Sequence, residues 1–355
     1  MSFSPHLLRR VNTRATLAIA AAVALAVVAG CSSGKSSGNG GGGSATPSGS
    51  GGATKSGTIT IAYLQKQGDQ QYFVDEANGA KREATTLGNV KVDVVNLGTD
   101  SNKAISSMST EVGQHVDGIA IVVPDQKIGP QIIQAAQGAN IPLVASDDPI
   151  SSGSGAAAPF VGFDSMQMGL SVGREAGKLF KQAGWSASNT KVMAAYSQSL
   201  SDCQQREAGE EQGFKQTAGA SVPIVKLGTD NSVTDAQNKA GAGLTANPSV
   251  KHWLVWGCND ESETGVVSAL QNGHIAAANI IGVGLGAYLD CKDWKAGVNS
   301  GNKASLFIGG ADVGAAAIRA LVAKLRNGTA LPAKTIAKTT MVDAKTWKPV
   351  MGSCS

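Results

Sequence analysis

The sequence predicts an α/β protein made of two similar doubly wound, Rossmann-like lobes, and three observations lead there. From about residue 58 onward, short β-branched runs alternate with stretches of helical period, the grammar of parallel sheets covered by helices. The same order of runs is used twice, beginning at Ile59 and again at Lys191. The composition fits: 355 residues with 42% hydrophobic, 16% charged and only 5% aromatic side chains, with 45 glycines, suit two cores packed by small-residue helices. A disordered chain and a disulfide-rich mini-scaffold are both excluded.

The chain opens on Arg9, Arg10 and Arg14, followed by an apolar run of 13 residues from Leu17 to Ala29. That is shorter than the roughly 20 residues a permanent transmembrane helix needs, so residues 1–30 read as an export signal. The run closes on Val28-Ala29-Gly30-Cys31, an order that resembles the lipobox of bacterial lipoproteins. Cys31 is therefore expected to be acylated and to anchor the chain to the outer face of the cell membrane, in the envelope or periplasmic space. A cleaved, freely secreted chain is the alternative. Residues 31–57 read as a tether, because Ser32 to Gly57 holds 10 Gly and 8 Ser with no large apolar side chain. The formal charge of +4 falls mostly in the leader. A near-neutral body excludes a surface built for nucleic acid.

Strands are expected at Ile59 to Leu64, Val90 to Val95, Gly118 to Val123 and Ile141 to Ser146. They recur at Lys191 to Tyr196, Val222 to Leu227, Trp253 to Trp256 and Asn279 to Val283. Leu-Gly-Thr-Asp closes the second strand of both passes, at 97–100 and at 227–230. Gly79-Ala80-Lys81 and Gly213-Phe214-Lys215 fall in the first helix of each.

In open parallel sheets, ligands bind beyond the carboxyl ends of the strands. The residues placed there are polar: Lys66 and Gln67, Pro124-Asp125, Asp147-Asp148 and Asn259-Asp260. A cleft between the lobes, facing a hydrogen-bonding ligand, is the expected site. Asp147 and Asp148 are neighbours at a strand end and point to opposite sides, so they read as hydroxyl acceptors, or as a solvated turn or cap, and not as an acid–base pair. Arg206, expected just after a polar loop of Ser197 to Gln205, offers five fixed donors to a ligand, or else pairs with Glu207 or Glu210. Tyr72 suits packing on the C–H face of a sugar, while Phe73 reads as core.

Gly282-Val283-Gly284-Leu285-Gly286 lacks the spacing and the position of a dinucleotide loop. The four histidines have no metal-ligand spacing, and no nucleophile system has local support. No enzyme activity, cofactor or metal is expected. Export leaves Cys203, Cys258, Cys291 and Cys354 free to pair, in three possible ways. Cys203 and Cys258 follow the first and third strands of the second half, neighbours in a flavodoxin-like order, so a Cys203–Cys258 bridge is expected. A Cys291–Cys354 bridge would tie down the tail.

Three stretches resemble the ribose- and galactose-type (type I) periplasmic solute-binding proteins. They are Lys66-Gln67 to Phe73, Pro124-Asp125-Gln126-Lys127-Ile128-Gly129 through Asp148, and Val250-Lys251-His252-Trp253-Leu254 through Asn259-Asp260 to Ile280-Ile281-Gly282. The resemblance implies two lobes joined by a three-segment hinge, with residues 58–163 plus 308–333 in one and 164–307 plus 334–355 in the other. It implies a monomer that closes on a monosaccharide, an arabinose- or galactose-like pentose or hexose as pyranose or furanose, and hands it to the membrane permease of an ABC importer. A sugar sensor reporting to a membrane receptor is the alternative.

The family's ligand residues fall on Lys66, Asp147, Asp148, Arg206 and Asn259, all unchanged in type. Others fall on Gln70 in place of glutamate, Tyr72 in place of tryptophan, Leu200, and Cys258 in place of methionine. A second family asparagine falls on Gly286, and its loss is expected to open a space the size of an Asn side chain, tolerant of an exocyclic hydroxymethyl or a furanose ring.

Overall fold

The computed structural model describes residues 55–354; the leader, Cys31 and most of the Gly/Ser stretch lie outside the described residues. The chain begins with β1 (Ile59–Gln65), α1 (Gln71–Leu87), β2 (Val90–Asn96), α2 (Ser101–Gly113), β3 (Gly118–Ile121), α3 (Gly129–Gly138), β4 (Leu143–Asp147) and β5 (Phe160–Gly162). It then crosses to a second lobe. This begins with α4 (Ser165–Gln182), β6 (Thr190–Tyr196), α5 (Ser201–Ala218), β7 (Ile224–Gly228) and α6 (Val233–Thr245). It continues through β8 (His252–Gly257), α7 (Asp260–Asn272), β9 (Ile280–Gly286), α8 (Asp290–Ala296) and β10 (Asn302–Ile308). A return crossing delivers α9 (Gly310–Asn327) and β11 (Lys334–Ile336) to the first lobe, and a third takes β12 (Thr339–Asp343) and α10 (Trp347–Met351) back to the second.

Each lobe carries a six-stranded sheet, ordered β11-β5-β4-β3-β1-β2 and β12-β10-β9-β8-β6-β7. All neighbours are parallel except β12, which runs antiparallel to β10. The eight strands read from the sequence form the central strands and one edge of each sheet. One expected boundary shifts. Lys334–Ile336 pairs in parallel with Phe160–Gly162, so these residues belong to the first lobe and the last crossing falls after them, not at 333/334. A three-residue strand has too little hydrophobic pattern to declare its sheet; its pairing partner decides.

The central strands are buried on both faces, as parallel sheets require, and the edge strands β2, β7 and β11 only in part. Ile61, Leu64, Ile119, Ile121, Leu254 and Trp256 are at most 1% exposed, and burying such a side chain stabilises by about 1.5–3 kcal/mol. The internal repeat extends to the helix pairs beside the cleft. A Cβ at Gly169 of α4 would overlap the carbonyl of Arg206 on α5, and one at Gly314 of α9 would overlap the carbonyl of Glu76 on α1. In both lobes a close glycine contact sets the depth of the helix that carries cleft residues.

Candidate ligand cleft between the lobes

The carboxyl ends of the two sheets face one cleft of about 710 Å³, including its open mouth, and Lys66, Gln70, Tyr72, Asp147, Asp148, Leu200, Arg206, Cys258, Asn259 and Gly286 all line it. The first-lobe wall is built at the ends of β1 and β4 and the start of α1. Asp147 ends β4 with φ 59°, and the Asp148 amide donates to the Ser146 carbonyl at 2.6 Å. This three-residue turn sends the two carboxyls apart. Asp147 accepts from the Tyr72 hydroxyl at 2.9 Å, and Asp148 pairs with Lys66 Nζ at 3.1 Å. Tyr72 also meets Phe73 and Tyr288 edge-on, with ring centroids 5.0 and 6.2 Å away. Phe73 is buried in the core.

The polar loop expected over Ser197 to Gln205 ends at Leu200. The chain turns helical at Ser201, so Arg206 lies within α5, 8% exposed. It pairs with neither Glu207 nor Glu210; Nη1 donates to the Cys258 carbonyl at 2.9 Å, and Nε is buried without a partner. Cys203 is joined to Cys258, and Cys291 to Cys354. Asn259 caps α7: Oδ1 accepts from the Ser262 amide at 3.1 Å, while Nδ2 donates to the Asn231 carbonyl at 3.0 Å and to Glu261 at 2.6 Å. Both N–H donors of its amide are thus occupied by protein partners.

Gly286 overturns the expected vacancy. A Cβ there would sit 2.9–3.2 Å from the Asp260 carboxyl atoms, and φ is +140°. The missing side chain leaves no space for a ligand substituent, because that direction is filled by Asp260. The Asp260 carboxyl accepts from the amides of Ala287 and Leu289 at 2.9 Å each and from the Ser305 hydroxyl at 3.2 Å. Gly286 is therefore a backbone requirement of the β9–α8 loop.

Sequence reasoning missed Asp202, Asn231, Glu261 and Tyr288, which also line the cleft. Asn231 was hidden by the repeat. In the first lobe Asp100 of Leu-Gly-Thr-Asp caps α2, whereas Asp230 turns the chain back on Ser232, and Ser232 becomes the cap of α6. The added step puts Asn231 at φ 66° with its side chain in the cleft. Gln126 reaches across from the first lobe, donating to Asp202 at 3.1 Å and accepting from the Ser201 hydroxyl at 2.6 Å.

The cleft is rich in acid. Burial, and then Asp148, push the Asp147 carboxyl up to about 6, while Arg206 pulls it back. Burial and then Asp148 raise Asp202 to about 7, and burial and then Asp260 raise Glu261 to about 7. Behind Asp147, burial followed by the Asp147 charge lifts Glu76 to about 8; its Oε1 accepts from Tyr63 at 2.6 Å and Ser146 at 2.5 Å. Among the described residues, no group of His, Cys, Asp and Glu has metal-holding geometry.

This chain is 27% identical over 307 residues to the ABC transporter L-arabinose-binding periplasmic protein of Azospirillum brasilense, covering 84% of this chain and 91% of that one. It is 27% identical over 232 residues to the L-arabinose-binding periplasmic protein of Escherichia coli K12, covering 64% and 70%. Its fold matches an ABC transporter periplasmic solute-binding protein of Actinobacillus succinogenes 130z with bound D-allose, at TM-score 0.71 and 21% identity over 82% of this chain and 99% of that one. Residues 61–329 match the periplasmic binding protein domain, and with two doubly wound lobes around one polar cleft this chain belongs to that family.

Proposed function

We propose that this protein is the extracytoplasmic sugar-binding component of an ABC importer, holding one neutral monosaccharide between its lobes without turning it over. The observation that carries the reading is the convergence of Lys66, Tyr72, Asp147 and Asp148 from one lobe with Arg206 and Asn231 from the other. Paired donors and acceptors on opposite walls, with a ring among them, suit a ligand that is hydroxyl-rich and apolar on one face. The L-arabinose named in both relatives makes it the first ligand to test. Asp147 and Asp148 are engaged by Tyr72 and Lys66 and do not flank a bond as acid and nucleophile. The order Val28-Ala29-Gly30-Cys31 supports acylation at Cys31 and a membrane-tethered body, which mass spectrometry of the membrane fraction would check by its lipid mass.

The deciding experiment is a thermal-shift screen of L-arabinose, D-galactose, D-ribose and D-allose, followed by calorimetry. A ligand that binds only the folded state raises apparent stability with concentration. One or more of these sugars should raise Tm and be recovered unchanged. A flat response to all four, or recovery of a cleaved or altered sugar, would overturn the reading.

A further inference from the structure

We propose that the Cys203–Cys258 disulfide is a positioning element of the cleft, holding the three loops after β6, β7 and β8 in the one arrangement that presents Arg206 and Asn231. The inference rests on the ligand role proposed for the cleft. Cys203 is in the first turn of α5, three residues before Arg206 and so on the same side of the helix. Cys258 directly precedes Asn259, and its carbonyl accepts from Arg206 at 2.9 Å. Asn231, on the loop after β7, donates Nδ2 to Cys203 Sγ at 3.3 Å, and its carbonyl accepts from Asn259. Its Oδ1 accepts from the Ser197 amide at 2.8 Å, on the loop after β6. The bridge is the covalent centre of a network that joins the second-lobe loops after β6, β7 and β8.

The glycine contact with α4 sets the depth of α5 from Arg206 onward, and the bridge adds the tie between its first turn and the loop after β8. The buried face of α5 combines the polar Asp202, Arg206, Glu207 and Glu210 with Gly209 and Gly213, which pack on α4, and in its first turn Cys203 is the one buried apolar side chain. The α5 N-cap residue Leu200 has no side-chain acceptor, and the Ser201 amide is met by Gln126 of the other lobe at 3.3 Å, so neither a hydrophobic stripe nor a cap from its own lobe seats the first turn. The sulfurs pack with Tyr196 and Leu200 in a small cluster separate from the main cores. The other bridge differs in one useful respect. Cys291–Cys354 sits among Ala287, Trp294, Val342 and Trp347 under the C-terminal tail. Its loop spans 63 residues against 55, so chain entropy assigns the two bridges nearly equal effects on stability.

The test compares the full chain carrying Cys203→Ser with Cys258→Ser against the full chain carrying Cys291→Ser with Cys354→Ser. Without ligand, native-state amide exchange should lose at least about tenfold protection at residues 197–206, 229–232 and 258–262 in the first variant and not in the second. With whichever of L-arabinose, D-galactose, D-ribose or D-allose the native protein binds, affinity should fall at least about tenfold in the first variant and less than about twofold in the second. Equal exchange at those loops in both variants overturns the proposal, as does loosened loops with native affinity. If the native protein binds none of these sugars, the ligand reading fails while the exchange comparison still decides the positioning role. Should the serine pair not fold, Cys203→Ala with Cys258→Val restores apolar volume without the bond; failure of that variant as well would make the bridge a requirement of the whole lobe and remove the positioning role.

Discussion

Behind the first-lobe wall of the cleft one carboxyl, Glu76, is held by the hydroxyls of Tyr63 and Ser146. Behind the second-lobe wall, Asp260, Glu263 and Asp290 are buried together, at most 3% exposed, over glycines 282, 284 and 286 of β9. Asp260 receives two amides and a hydroxyl, while Glu263 Oε1 and both Asp290 oxygens have no hydrogen-bond partner. Burial raises all three, and only for Asp260 do backbone donors stand next among the causes and pull it back. The same place in two similar sheets thus stores acid in two ways. The lesson is that burial pushes each of these acids up and the donors around it set how much of that push is opposed.

The largest effect expected from this difference is on stability against pH. The folded carboxyls lie above their unfolded values, so the folded state binds more protons. Their contribution is whole below the unfolded value near 4 and is lost as pH rises, through about 8 for Glu76. Tm should therefore be higher at pH 5 than at pH 8, each retained proton being linked to about 1.4 kcal/mol per pH unit in that window. His252, disfavoured as a cation chiefly by partial burial, opposes this weakly. Glu263→Gln should flatten the profile more than Glu76→Gln, because its carboxyl lacks the donors that Glu76 has. A Tm that rises from pH 5 to pH 8, or a steeper flattening by Glu76→Gln, breaks the comparison.

Next in size is Arg206→Ala. It removes the second-lobe guanidinium that faces Asp147 and Asp202, and sugar affinity should fall by about 2–4 kcal/mol in calorimetry, since buried partners lose their donor. Asp148→Ala on the opposite wall should fall in the same range; native affinity in either variant would take that residue out of the site.

Gly286→Asn should destabilise by about 1–3 kcal/mol in urea denaturation, because its Cβ meets Asp260 at a φ of +140°. Gly184→Asn, at φ 66° with open space around it, should cost less than half as much. A Gly286→Asn protein of native stability with a changed sugar preference would show that the position opens to the ligand after all.

The smallest effect is expected from Tyr72→Phe. It deletes one hydroxyl donor to Asp147, about 1 kcal/mol of affinity. Because that hydrogen bond lowers the Asp147 carboxyl, its titration seen by carbon NMR should move up. No movement would separate Tyr72 from the acid.

How legible the site was depends on which interaction fixes each residue. Lys66, Asp147, Asp148 and Asn259 follow strands whose β-branched runs are plain in the sequence, so their place at the cleft could be read from topology. The polar loop before Arg206 reads as running to Gln205, although the helix begins at Ser201, because α5 starts without a cap residue and without an apolar stripe, the two local signals that announce a helix. Asn231 was concealed by the difference between Asp100 as a cap and Asp230 as a turn. For Asn259 the type of residue was visible, but its engagement in capping α7 depends on partners contributed by Asn231, Glu261 and Ser262.

By itself the sequence determined the two-lobe α/β class, the order of the central strands and the polar character of the loops at their carboxyl ends. Periodicity and strand-end composition are local properties, and the chain carries them twice. Tertiary structure alone decided where Lys334–Ile336 pairs, what fills the direction a side chain at 286 would take, and which of the buried acids find donors. Those outcomes depend on atoms brought from distant parts of the chain to within a few ångströms, and hydrogen bonding and steric exclusion act only at that range.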